Sequence, residues 1–125
     1  MDYQFYNNNP LGLVEEDCVT RAISLALDED YYKIKKQLYL VAELFECEAL
    51  CVCCYEHLLE SVYQLEEVPN CKGMSIKEFA NNNYKGIYII RVDGHLTCII
   101  DSILYDIWNC KNEIVDIAWK VNEKF

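Results

Sequence analysis

The sequence predicts an α+β fold in which N-terminal helices are followed by an antiparallel β-meander. Apolar residues recur with helical spacing over about residues 17–83, whereas alternation and turn pairs are typical of about residues 86–121. A parallel sheet would need crossover helices between its strands, and none is predicted there. The length of 125 residues and the 53% apolar content suit one folded domain. We therefore predict a single domain over residues 1–125.

The first helix follows a polar, turn-rich segment over residues 1–16, which includes Pro10 and Gly12. Asp17 is positioned as its N-cap, which places Cys18 in the first turn. Its buried face is predicted from the apolar positions Val19, Ala22, Ile23, Ala26 and Leu27.

Three further helices are predicted before residue 84. Acidic residues 28–30 cap the second, whose apolar positions are Ile34, Leu38, Val41, Ala42 and Phe45. The third has an apolar stripe at Cys47, Leu50, Cys51, Cys54, Leu58, Ser61, Val62 and Leu65, and the break before it has no sequence signal. A capping box at 75–78 opens the fourth, which is expected to stop near residues 81–83.

The second half is predicted to form strands at Ile87–Val92, His95–Ile100, Ile103–Trp108 and Glu113–Val121. Asp93-Gly94 is a strong two-residue hairpin signal and places Val92 opposite His95. Asp101-Ser102 is a weaker turn. If it too closes a two-residue hairpin, His95 faces Trp108 and Thr97 faces Asp106.

On that register, His95 and Asp106 are diagonal neighbours on one face of the sheet, within reach of an imidazole and a carboxylate. Asp101 lies at the far end of the strand, and His57 is expected to face solvent. A cysteine at a helix N-terminus, a histidine and a carboxylate are what nucleophilic thiol catalysis requires. Cys18, His95 and Asp106 meet that requirement. Trp108 is expected either to shield the pair from water or to be a core residue.

Three segments carry a resemblance to a known family: residues 17–23 (DCVTRAI), 94–101 (GHLTCIID) and 105–110 (YDIWNC). They resemble small phage and prophage proteins with a papain-like cysteine-peptidase fold, and the peptidase domains that process double-glycine leader peptides. The resemblance covers roughly residues 9–110. It implies a papain-like architecture with Cys18 as nucleophile, His95 as general base and Asp106 as the group that orients it.

Two features depart from that family. Papain-like enzymes usually place a glutamine shortly before the nucleophile, and residues 10–17 contain none. Asn9 or Asn8, with the backbone N–H of Cys18, is the replacement predicted for the oxyanion hole. Acidic residues 15–17 surround the thiol and are expected to raise its pKa.

The remaining cysteines suggest a zinc site as an alternative. Cys47, Cys51 and Cys54 lie on the apolar stripe, with Cys53 and His57 on another face, so no four ligands are expected to converge; Cys71 is a further candidate ligand. We therefore predict neither a metal nor a cofactor. Cys98 is expected in the core, and Cys110, near the end of the sheet, is left undecided.

The net charge of the chain limits the classes of partner that it is expected to bind. The net charge of −10 argues against binding to nucleic acid or to an anionic membrane. Since the sequence has neither a signal peptide nor a spanning segment, we predict a cytoplasmic protein, in the host cytosol if it is phage-encoded. No Lys or Arg interrupts residues 37–71, which predicts an acidic surface formed by Glu43, Glu46, Glu48, Glu56, Glu60, Glu66 and Glu67.

The sequence thus predicts a thiol-dependent acyl-transfer enzyme, peptidase-like, whose substrate is a peptide or protein. The alternative is a non-enzymatic phage-type effector or inhibitor of the same fold, whose acidic surface over residues 43–67 binds a basic host protein. A homodimer is left open.

Overall fold

The protein is described by a computed structural model over residues 1–122, and the last three residues of the predicted domain, 123–125, lie outside the described part. The described chain forms α-helices and one mixed sheet, so the α+β class is confirmed. The helices are α1 Cys18–Leu27, α2 Tyr31–Phe45, α3 Val52–His57 and α4 Ile76–Asn82. The strands are β1 Asp2–Phe5, β2 Glu66–Glu67, β3 Ile87–Val92, β4 His95–Ile100, β5 Ile103–Asp106 and β6 Ile117–Val121.

The sheet has the strand order β1-β5-β4-β3-β6-β2. Its centre, β3-β4-β5, is the predicted antiparallel meander, with Val92 opposite His95 and Cys98 opposite Tyr105. Both hairpin registers are therefore confirmed over the paired residues, but β5 ends at Asp106 instead of the predicted Trp108, so the ladder does not extend to a His95–Trp108 pair. The turn at 101–102 has positive φ at both residues, as in the type I′ turns that suit two-residue hairpins.

The prediction that the whole sheet is an antiparallel meander is wrong. β6 pairs with β3 instead of β5, because the chain crosses to the other side of the meander after Asp106. The edge of β5 is then free for β1, which pairs with it in parallel. β1 lies in the segment that the sequence predicted as turns, since four residues are too few to show a strand period.

The helix starts follow local capping chemistry. The Asp30 carboxylate accepts the N–H of Lys33 at 3.1 Å, and the Ser75 hydroxyl accepts that of Glu78 at 3.1 Å, as predicted. Asp17 occupies the N-cap position of α1, but its side chain makes no capping bond. None of the helices in the described part of the chain is long and apolar enough to cross a bilayer.

The break between the second and third helices, which has no signal in the sequence, lies at residues 46–51. Glu46 takes a left-handed conformation with φ of 54°, and its N–H bonds back to Ala42 and Glu43. α3 then begins after Cys51 and continues as a π-helical turn, Leu58–Val62. The predicted apolar faces are wrong at Phe45, Leu50 and Val62, which are 46%, 44% and 52% exposed.

Two apolar clusters cover the sheet. In one, α1 packs mainly on β4, with Ile23 against Leu96 and the fully buried Cys98, which is a core residue as predicted. In the other, Phe79 of α4 packs with Ile90 and Leu104. Alternate residues of β3 and β4 enter opposite clusters, because successive side chains of a strand point to opposite faces. The contact with α1 holds Cys18 beside the start of β4.

Candidate active site

His95 and Asp106 are in direct contact. His95 opens β4 and Asp106 closes β5, and Nε2 of the imidazole lies 2.6 Å from Oδ2 of the carboxylate. The contact expected from the hairpin register is therefore present. The ring of Trp108 lies edge-on to that of His95 with centroids 5.0 Å apart, and Trp108 is 43% exposed. Trp108 thus covers one side of the imidazole and is not a core residue.

Asp106 is buried with a full set of hydrogen-bond donors. Thr97 Oγ1 donates to Oδ2 at 2.6 Å, while the Ile107 N–H and Arg21 Nη1 donate to Oδ1 at 2.7 and 3.2 Å. Burial alone would raise its pKa, but the hydrogen bonds from His95 and Thr97 and the charge of His95 outweigh burial and lower it. The carboxylate is ionised and fixed in place.

Cys18 is the first residue of α1, and its side chain lines the same cavity as His95 and Leu96. Burial raises the pKa of the thiol, yet the neighbouring imidazole of His95, the backbone of Leu96 and the charge of Arg21 lower it overall. The α1 dipole favours the thiolate in the same sense. Since Nε2 of His95 bonds with Asp106, the ring nitrogen left for the sulfur is Nδ1.

The histidine is correspondingly a strong base. Burial would lower the pKa of His95, but hydrogen bonds with Asp106, Cys110 and Cys18 raise it from 6.5 to about 11. The lowered pKa of the thiol and the raised pKa of the imidazole both favour transfer of the thiol proton to the ring. The buried carboxylate of Asp106 orients that ring.

The predicted increase of the thiol pKa by its acidic neighbours is wrong in direction. Asp17 is turned into a buried network, in which its carboxylate accepts hydrogen bonds from Arg21 Nε at 2.7 Å and from the Tyr31 hydroxyl at 2.7 Å. The guanidinium of Arg21 therefore offsets the nearest negative charge. The same network explains why Asp17 does not cap α1.

Asn9 does not supply an oxyanion donor in this structure. Its Nδ2 donates to Glu15 Oε1 at 2.9 Å and to Asp17 Oδ2 at 3.0 Å, so both amide hydrogens are used. Asn8 likewise donates to the Arg21 carbonyl and to the Ser24 hydroxyl. The prediction for these asparagines fails because both amides brace the segment before α1. The N–H of Cys18 remains, since the first N–H groups of a helix have no intrahelical acceptor.

Two residues of the site were not assigned a role from the sequence. Arg21 links Asp17 to Asp106, and its position one helical turn after Asp17 was the available signal. The Cys110 sulfur lies within 4.8 Å of both a His95 ring nitrogen and an Asp106 oxygen, and the residue is 1% exposed. Nothing in its sequence context points there, because Cys110 follows an irregular turn after β5.

The thiol opens into a cavity of about 630 Å³. Leu50, Val52 and Tyr55 form one wall, and Trp108 lines the cavity beside His95. Charged groups of both signs also line it, namely Glu15, Glu16 and Arg91. The volume falls within the range of ligand-binding clefts, and its walls are mostly apolar with a few polar groups.

The cysteines of the third helical region are not dispersed as predicted. Sγ atoms of Cys47, Cys51 and Cys53 lie within 4.8 Å of one another, and that of Cys54 lies 2.6 Å from Cys47. His57 stacks edge-on against Phe45 with ring centroids 4.8 Å apart, and it is half-buried instead of facing solvent. Cys71 is buried in the second apolar cluster with Phe79.

Comparison of the chain with family models, with curated proteins and with solved structures gives no match in any of the three. The resemblance to papain-like phage proteins therefore stays a prediction.

Proposed function

We propose that this protein is a thiol-dependent acyl-transfer enzyme, a cysteine peptidase-like hydrolase of papain-like architecture that acts on a peptide or isopeptide bond. The observation that carries the proposal is the arrangement of Cys18, His95 and Asp106. His95 contacts Asp106, and Cys18 and His95 both line the 630 Å³ cavity. A half-buried thiolate–imidazolium pair facing a cleft is the arrangement that nucleophilic catalysis needs, and a structural cysteine needs none of it.

In the proposed reaction, the Cys18 thiolate attacks the carbonyl carbon and a C–S bond forms. The imidazolium of His95 then gives its proton to the leaving nitrogen as the C–N bond breaks, which releases an amine and leaves a thioester. A water molecule attacks the thioester while His95 takes its proton. The C–S bond breaks, an acid is released, and the proton remains on the ring beside the regenerated thiolate. Asp106 holds the ring in position throughout.

The negative oxygen of the tetrahedral intermediate needs donors near the thiol. The backbone N–H of Cys18 is suited to this role, because it lies at the start of α1, where the helix dipole is positive. With Asn8 and Asn9 engaged elsewhere, a backbone donor is the first candidate.

The cavity favours an extended, partly apolar substrate. Leu50 and Val52 are each 44% exposed on its wall, so they can pack against a substrate side chain. Arg91 is held in place by Asp116 at 2.9 Å and contributes one fixed positive charge to the same cavity.

The test is the rate of iodoacetamide labelling at each cysteine, mapped by mass spectrometry at about pH 6, where only a thiol of lowered pKa reacts quickly. We expect Cys18 to label first in the wild type and to lose at least about tenfold in rate in His95→Ala, because the imidazolium stabilises the thiolate. His57→Ala is the matched control, since His57 is the chain's other histidine, and it should leave the labelling rate of Cys18 unchanged.

Slow labelling of Cys18 in the folded wild type, or an equal loss in both histidine variants, would contradict the proposal. If the expected pattern is found, acyl and ubiquitin-like probes with electrophilic ends identify the substrate class. A probe adduct on Cys18 that disappears in Cys18→Ala is the supporting result.

A second candidate function is a non-enzymatic effector that binds a basic host protein. The observation that favours it is the exposure of six of the seven glutamates in residues 43–67, the seventh, Glu56, being partly buried. Such a surface attracts a basic partner at long range. This function uses no thiol chemistry, so partner binding would survive Cys18→Ala, whereas the enzymatic function would not.

A further inference from the structure

We propose that Cys47, Cys51, Cys53 and Cys54, here called the four-cysteine cluster, form a zinc site between α2 and α3. The Sγ atoms of Cys47 and Cys54 are 2.6 Å apart, those of Cys47 and Cys53 3.1 Å, and those of Cys51 and Cys53 3.2 Å. The Sγ atoms of Cys47, Cys51 and Cys53 all lie within 4.8 Å of one another, and Cys54 joins this set through Cys47 while its thiol also donates to the Glu48 carbonyl at 3.2 Å. Three close sulfurs with a fourth beside them supply the Cys₄ ligand set of a structural zinc site.

The local chain conformation brings the sulfurs together. Glu46 ends α2 in a left-handed conformation and reverses the chain, so Cys47 lies just beyond the helix. Cys51 is the N-cap residue of α3, and Cys53 and Cys54 follow in its first turn. The loop sulfur of Cys47 therefore meets those of Cys51 and Cys53 from the helix start, with Cys54 beside Cys47, which helical periodicity alone could not predict.

The dimensions suit zinc after a small adjustment. Zinc–sulfur bonds of about 2.3 Å in a tetrahedron place the sulfurs about 3.8 Å apart. The three short separations need to widen by up to about 1.2 Å, and the Cys54 side chain needs to turn toward Cys51 and Cys53. Each ligating thiol releases its proton to solvent when the metal binds. Cys53 is exposed and Cys54 is buried, so the cluster lies at the surface and ions can reach it.

Charge favours a cation at this place. Residues 37–71 contain no Lys or Arg, while Glu43, Glu46 and Glu48 are exposed on the same segment. Several thiolates cannot accumulate beside these carboxylates without a compensating positive charge, and a divalent metal ion supplies it.

The cluster is placed to stabilise one wall of the cavity. Leu50 and Val52, on either side of Cys51, line the cavity. The small apolar cluster beneath this segment has three buried members among the described residues, Val41, Ala42 and Cys54. Because that cluster buries little apolar surface, a metal that links α2 to α3 would give the segment a fixed shape. The zinc proposal does not depend on catalysis by Cys18.

The test is titration of the full-length reduced protein with Co²⁺, followed by displacement with Zn²⁺ and elemental analysis. We expect one metal ion per chain and the intense near-ultraviolet absorption of cobalt bound by thiolates. Cys51→Ser and Cys53→Ser should lose that absorption. Cys71→Ser is the matched control, because Cys71 lies in another cluster, and it should keep it.

Three results would overturn the proposal. The first is that the wild type binds neither Co²⁺ nor Zn²⁺. The second is that the cobalt absorption persists in both Cys51→Ser and Cys53→Ser. The third is that mass spectrometry finds a Cys47–Cys54 disulfide in protein kept under reducing conditions. Circular dichroism of the variants checks their folding independently. A zinc-dependent rise in Tm in the wild type that is absent in Cys53→Ser is the second supporting measurement.

Discussion

Arg21 is the residue that makes two buried carboxylates compatible with each other. Its Nε lies 2.7 Å from Asp17 and its Nη1 3.2 Å from Asp106, and the arginine is only 5% exposed. The planar guanidinium serves both carboxylates with fixed donors, which a lysine could not do. Arg21 thus acts on the site by positioning Asp106, without contact to a substrate.

Removal of Arg21 should therefore be costly. We expect Arg21→Met to lower the free energy of unfolding by about 3–5 kcal/mol, because it leaves the buried Asp17 without its cation and removes one of the two cationic partners of Asp106. Urea unfolding measures this change. Lys33→Met is the matched control, since Lys33 also pairs with an acid one turn away, Glu29 at 2.9 Å, but at the surface. An equally small effect of both substitutions would contradict the assignment.

At the scale of elements, the site depends on one helix start and one hairpin. α1 supplies Cys18, and the hairpin of β4 and β5 supplies His95 and Asp106. A slip of one residue in that hairpin would turn Asp106 to the opposite face. The type I′ turn at 101–102 and the packing of α1 on β4 fix this register.

The start of α4 offers a clean test of capping in this fold. We expect Ser75→Ala to destabilise the protein by about 1 kcal/mol, because the Glu78 N–H loses its side-chain acceptor. Ser75→Asp keeps an acceptor and should have a smaller effect. Thermal or urea unfolding measures both variants, and an equal loss in the two would show that capping is not the cause.

At the scale of the whole molecule, the thiolate–imidazolium pair links folding to pH. The pKa of His95 rises from 6.5 to about 11, so its contribution to stability is complete below 6.5 and is lost as pH rises through about 11. The lowered pKa of Cys18 acts in the opposite direction. Its contribution is complete above the ordinary value of 9.0 and is lost as pH falls through the folded value. The two contributions therefore change in opposite directions between pH 6.5 and 9.0, and above 9.0 only the loss of the His95 contribution continues.

This linkage predicts a pH-dependent difference between the wild type and His95→Gln. We expect the stability advantage of the wild type to shrink as pH rises from about 9 toward about 11, where the imidazolium is lost. Urea unfolding of both proteins across this range measures the difference, and subtraction cancels the tyrosines and lysines that they share. A difference that stays constant with pH would show that His95 is not held protonated by its neighbours.

Much of the helical region and the central hairpins could be predicted because their signals are local. The Ser75 cap, the start of α1 at Cys18 and the pairing of Val92 with His95 depend on residues close in sequence. β1 could not be found, since the strand with which it pairs in the described part of the chain, β5, lies about a hundred residues later. The convergence of Cys47 and Cys54 was missed because the chain reverses at Glu46, a residue without a turn signal.

The sequence by itself determined the fold class, the starts of α1, α2 and α4, and the register that joins His95 to Asp106. These features follow from periodicity, capping and turn chemistry, which act over a few residues. Only the tertiary structure decided that Asp17 turns away to Arg21, that Cys110 reaches the His–Asp pair and that the thiol pKa falls. Burial and long-range contacts set the charge balance of a site, and they exist only once the distant segments have packed together.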